Sequence, residues 1–285
     1  MILIADGGST KCDWIVLDDR GEILLKTRTK GLNPAVFKKE IIKNRLVENE
    51  ALKKYKTKIR EVYFYGAGCG TKNPCIMLKD VFEDYFSNAI VAVKEDTYAA
   101  TYAVTSEPGI VCILGTGSNS SFFDGKTIHT SIPSLGYILM DEASGNYFGK
   151  KLIRDYFYKK MPEELRLKFA SQYDLNADEI KLNIYKKENP NTYLANFAEF
   201  MFKSEQNEYF TSVLKKGIKD FFKNRIKPYD NYKEVPVHFV GSIAYFSSDV
   251  INQVAKKYNV KIGNIVRRPI DGLIEYHRKK LQIIK

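Results

Sequence analysis

A buried strand, a glycine turn and a second strand occur twice in this chain, about 110 residues apart, and that duplication restricts the fold more than any other feature. Ile2-Leu3-Ile4-Ala5 is an apolar run, Asp6-Gly7-Gly8-Ser9-Thr10-Lys11 turns the chain, and Trp14-Ile15-Val16-Leu17 resumes the sheet. Ile110-Val111-Cys112-Ile113-Leu114, Gly115-Thr116-Gly117-Ser118-Asn119 and Ser120 to Phe123 repeat the pattern. Each copy then turns through an acidic glycine segment, Asp18 to Gly21 or Asp124-Gly125, into a third short strand at Ile23-Leu24-Leu25 or Thr127-Ile128-His129. The period is too long for a solenoid, so two related halves are the economical explanation.

Helical spacing separates the strands. Apolar residues from Phe37 to Tyr55 and from Ile76 to Phe86 fall at helical steps, with strands expected at Val62 to Tyr65 and Ile90 to Val93 and a helix after Asp96. Strands joined by such crossovers indicate an α/β sheet. Between about 144 and 228 the second half carries long helical insertions, whose aromatic stripe (Phe148, Tyr156, Phe157, Phe197, Phe200, Phe210, Phe221, Phe222) reads as core. Val237 to Val240 is the last expected sheet element; Gly241-Ser242 leads into a helix to about Tyr258, and a helix from about Pro269 closes the chain.

At 285 residues the chain has the length of roughly two domains. Lys and Arg number 45 against 34 Asp and Glu, a net charge of +11, yet the basic residues alternate with acids as on solvated helix faces, which argues against a nucleic-acid partner. Four cysteines without a Cys-x-x-Cys pair and three histidines without ligand spacing exclude a structural zinc site. The absence of an 18-residue apolar run or a signal-peptide core points to a cytoplasmic protein without a membrane partner, its cysteines acting as small hydrophobes.

A glycine turn after a buried strand exposes backbone N–H groups to which phosphate oxygens can bind. One such loop alone is better explained as a plain hairpin; two, opening two related halves, can clasp one polyphosphate. Neither loop is a Walker A or a Gly-x-Gly-x-x-Gly sequence. Asp6 to Lys11, Leu114 to Asn119 and Phe239-Val240-Gly241-Ser242-Ile243-Ala244 resemble, in chain order, the phosphate-1, phosphate-2 and adenosine motifs of the actin-like ATPase superfamily of sugar kinases, chaperones and actin. Over its whole length the chain resembles the N-acetylglucosamine kinase and BadF/BadG-type ATPase family.

The resemblance implies an α/β fold of two ribonuclease H-like (actin-like ATPase) domains with a cleft between them and helical insertions in the second. The first would span 1–107, completed by the C-terminal helix 269–285, and the second 108–268. It implies ATP and Mg²⁺ as cofactors, a small-molecule sugar as substrate, and is compatible with a homodimer. Asp6 would hold the metal through water. Gly7, Gly8, Ser9, Thr10 and Lys11 would face the phosphates from one side, Gly115, Thr116 and Gly117 from the other, while Gly241 and Ser242 approach the adenosine. Asp96, between a strand and a helix, would be the base for the sugar 6-hydroxyl; read without the family, it is equally a helix N-cap. Gly31-Leu32-Asn33 resembles the turn that binds sugar hydroxyls in these kinases, with Asn33 before Pro34 otherwise a turn residue. Leu135 to Gly145 resembles the segment that gives the sugar an aspartate, here Asp141, with Gly117 also on the sugar. That segment departs from the family pattern: Leu135 stands for tryptophan and Met140 and Ala143 for glycines.

The activity implied is phosphoryl transfer to the 6-hydroxyl of an amino sugar, N-acetylglucosamine first. Two alternatives stand beside it. A BadF-type activator would couple ATP hydrolysis to electron transfer from an iron–sulfur cluster and needs a thiolate pair at a dimer axis, whereas Cys12 and Cys112 are expected in buried strands. A non-catalytic sugar sensor of the regulator type would carry a helix-turn-helix ahead of the fold, where the first strand is expected at Ile2.

Overall fold

The computed structural model of the chain describes residues 1–8 and 10–283. It forms two compact units, Met1–Ala103 with Arg268–Lys285, and Val104–Arg267. The first runs β1 (Ile2–Gly7), β2 (Lys11–Leu17), β3 (Ile23–Lys30), α1 (Lys39–Val47), α2 (Glu50–Lys53), β4 (Glu61–Gly66), α3 (Lys72–Tyr85), β5 (Ile90–Glu95) and α4 (Asp96–Val104). The second runs β6 (Gly109–Leu114), β7 (Ser118–Phe123), β8 (Ile128–His129), α5 (Gly145–Phe157), α6 (Glu163–Gln172), α7 (Ala177–Tyr185), α8 (Pro190–Phe197), α9 (Glu199–Lys203) and α10 (Glu208–Phe221). It continues through a π-helix (Phe222–Ile226), β9 (Val237–Val240), α11 (Ser242–Phe246), α12 (Ser248–Tyr258) and β10 (Ile262–Val266). Helix α13 (Pro269–Ile283) returns to the first unit. Among the described residues no helix is long and apolar enough to cross a membrane.

The two sheets share one plan. In the first the order is β3-β2-β1-β4-β5, and in the second β8-β7-β6-β9-β10. In each, the first three strands are an antiparallel meander and the last two add in parallel. Strand β1 is buried on both faces because helices cover both. Leu3 and Ala5 point towards Trp14, Phe64 and Phe82 beneath α1 to α3, while Ile2 and Ile4 point towards Ala99 of α4 and Leu273 and Ile274 of α13. Alternate side chains of a strand project to opposite faces, so one short apolar run serves both layers. Trp14 and Phe82 meet edge to face at 5.9 Å, and Phe64 lies 5.1 Å from Phe82. Each buried aromatic contributes about 1.5–3 kcal/mol over its exposed state. In the second unit most of the aromatic stripe is core, with Phe148, Phe197, Phe200, Phe210, Phe221 and Phe222 in one cluster and Tyr156 packed against it, but Phe157, the last residue of α5, is 45% exposed because it turns away from that cluster.

Several element limits differ from the sequence reading. The period from Phe37 to Tyr55 is broken into α1 and α2, because Asn49 caps the second by accepting from Leu52 N at 3.0 Å. The helix after Gly241 is likewise two, interrupted at Ser247. Val237–Val240 is not the last strand: β10 follows, parallel to it. The apolar residues continue the α-helical spacing through Phe222–Ile226, where the structure has a π-helix instead.

Candidate functional site

In the first unit, the parallel strands β1, β4 and β5 end level with one another. Gly7 stands opposite Gly66 and Gly66 opposite Glu95. Strands are spaced about 4.8 Å apart, so the ends of β1 and β5 lie about 10 Å apart on one sheet edge, at the C-terminal side where open α/β sheets bind ligands. Asp6, next to last in β1, and Asp96, first in α4, both reach this edge.

Their environments resist ionisation. Asp6 is half-buried, and its carboxyl is pushed up to about 7, first by desolvation and then by Asp13 and Asp96, with Lys11 opposing. Asp96 is pushed up to about 6 by desolvation and by Glu95, against the backbone amides of Thr97 and of Asp96 itself, which favour its charged form. Asp13 is better provided, with Arg28 Nε at 2.6 Å and Lys11 Nζ at 4.0 Å. Carboxyls lifted by burial and by neighbouring acids, at the C-terminal ends of parallel strands, mark a candidate site.

The glycine turn between β1 and β2 is tied to the segment that follows β3. Gly8 N donates to Lys11 O at 2.8 Å, Gly31 N to Thr10 O at 2.9 Å and Leu32 N to Gly8 O at 3.2 Å. The Gly31-Leu32-Asn33 turn and the Gly7 to Lys11 loop are thus one hydrogen-bonded body. Asn33 is buried, and its Oδ1 accepts from Ala35 N at 2.9 Å in the turn expected before Pro34. Ser9 lies outside the described residues. Gly7 is required by packing, because the Phe64 ring occupies the place a Cβ would take. Gly8 has no such neighbour; the nearest atom to a Cβ there would be Lys11 O at 3.6 Å.

In the second unit, Gly115, Thr116 and Gly117 bridge β6 and β7, with Gly115 N donating to Gly117 O at 2.9 Å. Helix α5, capped by Ser144, points its first amides at this loop: Gly145 N donates to Gly115 O at 2.8 Å and Asn146 N to Thr116 O at 3.0 Å. With those two carbonyls turned to the helix, their orientation is fixed. Gly241 joins the same edge, its φ of +123° bringing it so close to the Leu114 carbonyl that a side chain would overlap it. Ser242 follows, exposed, as the first residue of α11.

Asp141 closes on this loop. It is 6% exposed; Asn146 Nδ2 donates to its Oδ2 at 2.8 Å and Ser118 N to its Oδ1 at 3.2 Å. A Cβ on Gly117 would come within 2.9 Å of the Asp141 carboxylate, so the glycine makes room for the acid. Asp141 and Ala143 hold φ of +71° and +56°, left-handed values that side chains rarely adopt. Sequence reasoning does not single out Asn146, which bonds both Asp141 and Thr116 O; its one signal is its place in the first turn of a serine-capped helix.

The chemistry of these groups fits the cofactors the motifs imply. Beyond Gly115 and its two neighbours in the chain, no atom lies within 4 Å of where its Cβ would be, so that side of the loop is open to a phosphate. Mg²⁺ keeps several waters and takes one or two carboxylates plus substrate phosphates. Asp6 suits that role, and among the described residues no group of three His, Cys, Asp or Glu side chains could hold a metal alone.

Solved structures with the same architecture come from several bacteria. The chain is 35% identical to the "Putative N-acetylglucosamine Kinase" of Porphyromonas gingivalis, with 98% of this chain and 99% of that one covered and a TM-score of 0.91. It matches the "Putative N-acetylglucosamine Kinase" of Chromobacterium violaceum at 14% identity over 96% and 98% of the two chains, with a TM-score of 0.73. A ROK family glucokinase from Streptomyces griseus, in complex with glucose and AMPPNP, shares the fold at 15% identity over 96% and 97%, with a TM-score of 0.58. No protein-family model and no curated protein matches the chain.

Proposed function

The chain belongs to the family of N-acetylglucosamine kinases within the actin-like ATPases, and from that premise we propose that it is an ATP-dependent sugar kinase acting on the 6-hydroxyl of an amino sugar, N-acetylglucosamine first. The observation that carries this reading is the pair of half-buried carboxylates with raised pKa, Asp6 and Asp96, at the ends of parallel strands in a fold shared with sugar kinases.

Asp96 is the base. With its carboxyl poised at about 6, it is mostly ionised at neutral pH yet basic enough to accept the proton of an alcohol as the oxygen attacks phosphorus. Asp6 is the carboxylate for Mg²⁺, which when bound would neutralise charge on the phosphates and offset the desolvation and the neighbouring acids that lift Asp6. Gly7, Gly8, Ser9, Thr10 and Lys11 bind the phosphates in the first unit, and Gly115, Thr116 and Gly117 in the second; Gly241 and Ser242 receive the adenosine. Gly31, Asn33, Gly117 and Asp141 orient the sugar. Phosphoryl transfer asks mainly for positioning and charge stabilisation, which this arrangement of fixed amides and carboxylates suits. The electron-transfer alternative gains no support from the cysteines: Cys12 and Cys112 are wholly buried in β2 and β6, with thiols pushed up by burial.

The test is ADP release with a panel of hexoses and N-acetylhexosamines, N-acetylmuramate included. Sugar-stimulated turnover greatest with N-acetylglucosamine is expected. Turnover indifferent to every sugar overturns the reading.

A further inference from the structure

Arg225 is 2% exposed, and its guanidinium meets neutral partners. Nη2 donates to Asn119 Oδ1 at 2.9 Å; Nη1 faces the carbonyls of Ile132 and Pro133 at 3.5 and 3.4 Å and Met140 Sδ at 3.7 Å; Nε is buried without a partner. A buried charge lacking an opposite charge is costly, so its neutral contacts carry an unusual burden. All of them converge on two places: β7, directly after the Gly115–Gly117 loop, and the segment that leads to Asp141.

The backbone beneath Arg225 is fixed. Ser120 Oγ of β7 donates to Arg225 O at 2.8 Å, and Tyr229 Oη donates to Ser120 O at 2.9 Å. The π-helix presents two successive residues to the same segment, for Asn224 Nδ2 donates to Glu142 Oε1 at 3.1 Å. Residues 132–142 are therefore gripped at their start by Arg225, near their end by Arg225 through Met140, and at Glu142 by Asn224. Asp141 sits between the last two grips, in the left-handed conformation that its surroundings must impose.

We propose that Arg225, assisted by Asn224, is the positioning residue that holds this segment to β7 and so keeps Asp141 beside the Gly115–Gly117 loop in a sugar-competent arrangement. The assignment rests on the sugar kinase reading for its functional consequence and on the contacts alone for the clamp. A π-turn inserted at such a point accords with the frequent placement of these turns at functional sites.

Arg225→Lys keeps the charge but cannot reach β7 and the segment together. Asn224→Ala removes the Glu142 contact from an exposed position and leaves the interior intact. In hydrogen–deuterium exchange, Arg225→Lys is expected to speed exchange in residues 131–144 while β6 and β9 keep their protection. In steady-state kinetics the KM for sugar should rise about tenfold, with the KM for ATP within about twofold, because only the sugar contact is displaced. Asn224→Ala should move both readouts in the same direction by less, and it carries the test alone if Arg225→Lys does not fold. Parental exchange in a folded variant overturns the clamp, and so does an equal rise in both KM values, which reports general loosening. A parent protein without sugar-dependent turnover refutes the kinase reading, and the exchange comparison then decides the clamp by itself.

Discussion

Replacing Asp6 by asparagine should abolish turnover and yet stabilise the protein at neutral pH, by an amount that its titration sets. The carboxyl is raised from 3.8 to about 7 on folding. Between about pH 4 and 7 the native state keeps a proton that the unfolded chain has released, so stability falls as pH rises through that window and the loss is complete above about pH 7. A displacement of 7 − 3.8, about 3 units at 1.36 kcal/mol each, sets a ceiling of about 4 kcal/mol. Asp6 is only half-buried, and water screens part of that, which leaves about 2 kcal/mol. Asparagine cannot ionise, and its amide can donate towards the neighbouring carboxylates. At about 2–4 °C per kcal/mol, the variant should melt about 4–8 °C above the parent near pH 8, with the gap closing towards pH 4. Thermal melts by circular dichroism, without Mg²⁺ or nucleotide, across that pH range measure it. A gap that does not change with pH, or a variant that melts below its parent near pH 8, refutes the electrostatic account.

Asp96→Asn should lower kcat by about 10² to 10⁴ with little change in the KM for ATP, and should remove the acid limb near pH 6 from the parent's rate profile; an unchanged kcat would transfer the role of base, with Glu95 the nearest candidate. Gly241→Ala forces a side chain onto the Leu114 carbonyl at a φ of +123° and should cost at least about 1–3 kcal/mol in urea unfolding, with weaker ATP binding by calorimetry; parental values in both would contradict the close approach. His277 is buried against Tyr65 Oη at 3.0 Å and its pKa is pushed down to about 3 by burial, then by Lys280 and Lys94. The stability it provides is full above its ordinary pKa and is lost as pH falls from about 6.5 towards 3, so the urea midpoint of His277→Gln should depend less steeply on pH over that range than the parent's.

The sheets were legible because β1 and β6 are continuous apolar runs that end in glycine, a local signal. β10 lacks one. Its sequence Ile-Gly-Asn-Ile-Val places glycine and asparagine inside a strand, and the reason lies 25 residues upstream: the His238 ring fills the space a Gly263 Cβ would need, and Asn264 N donates to His238 Nδ1 at 3.0 Å. The site divides in the same way. Gly7 to Lys11 and Gly115 to Gly117 announce themselves by composition. Arg225 and Asn146 do not, for their partners come from elsewhere in the chain and their spacing marks only a helix. Of the two residues that stand for the family's glycines, Ala143 takes up a left-handed conformation suited to glycine, whereas Met140 does not.

Helix α13 belongs to the first unit, though in the chain it follows the whole of the second. Until it emerges, one face of the β1–β2 ribbon, with Ile2, Ile4, Ile15 and Leu17, lacks the Leu273 and Ile274 that cover it. At about 5–20 residues per second, the 267 − 103 = 164 residues of the second unit take roughly 8 to 33 s to synthesise. The second unit, continuous in the chain, can complete its core on the ribosome during that interval. The half that carries Asp6 and Asp96 is sealed only after the second unit has been made, so a nascent chain halted before residue 269 offers a greasy, half-roofed sheet to chaperones and proteases.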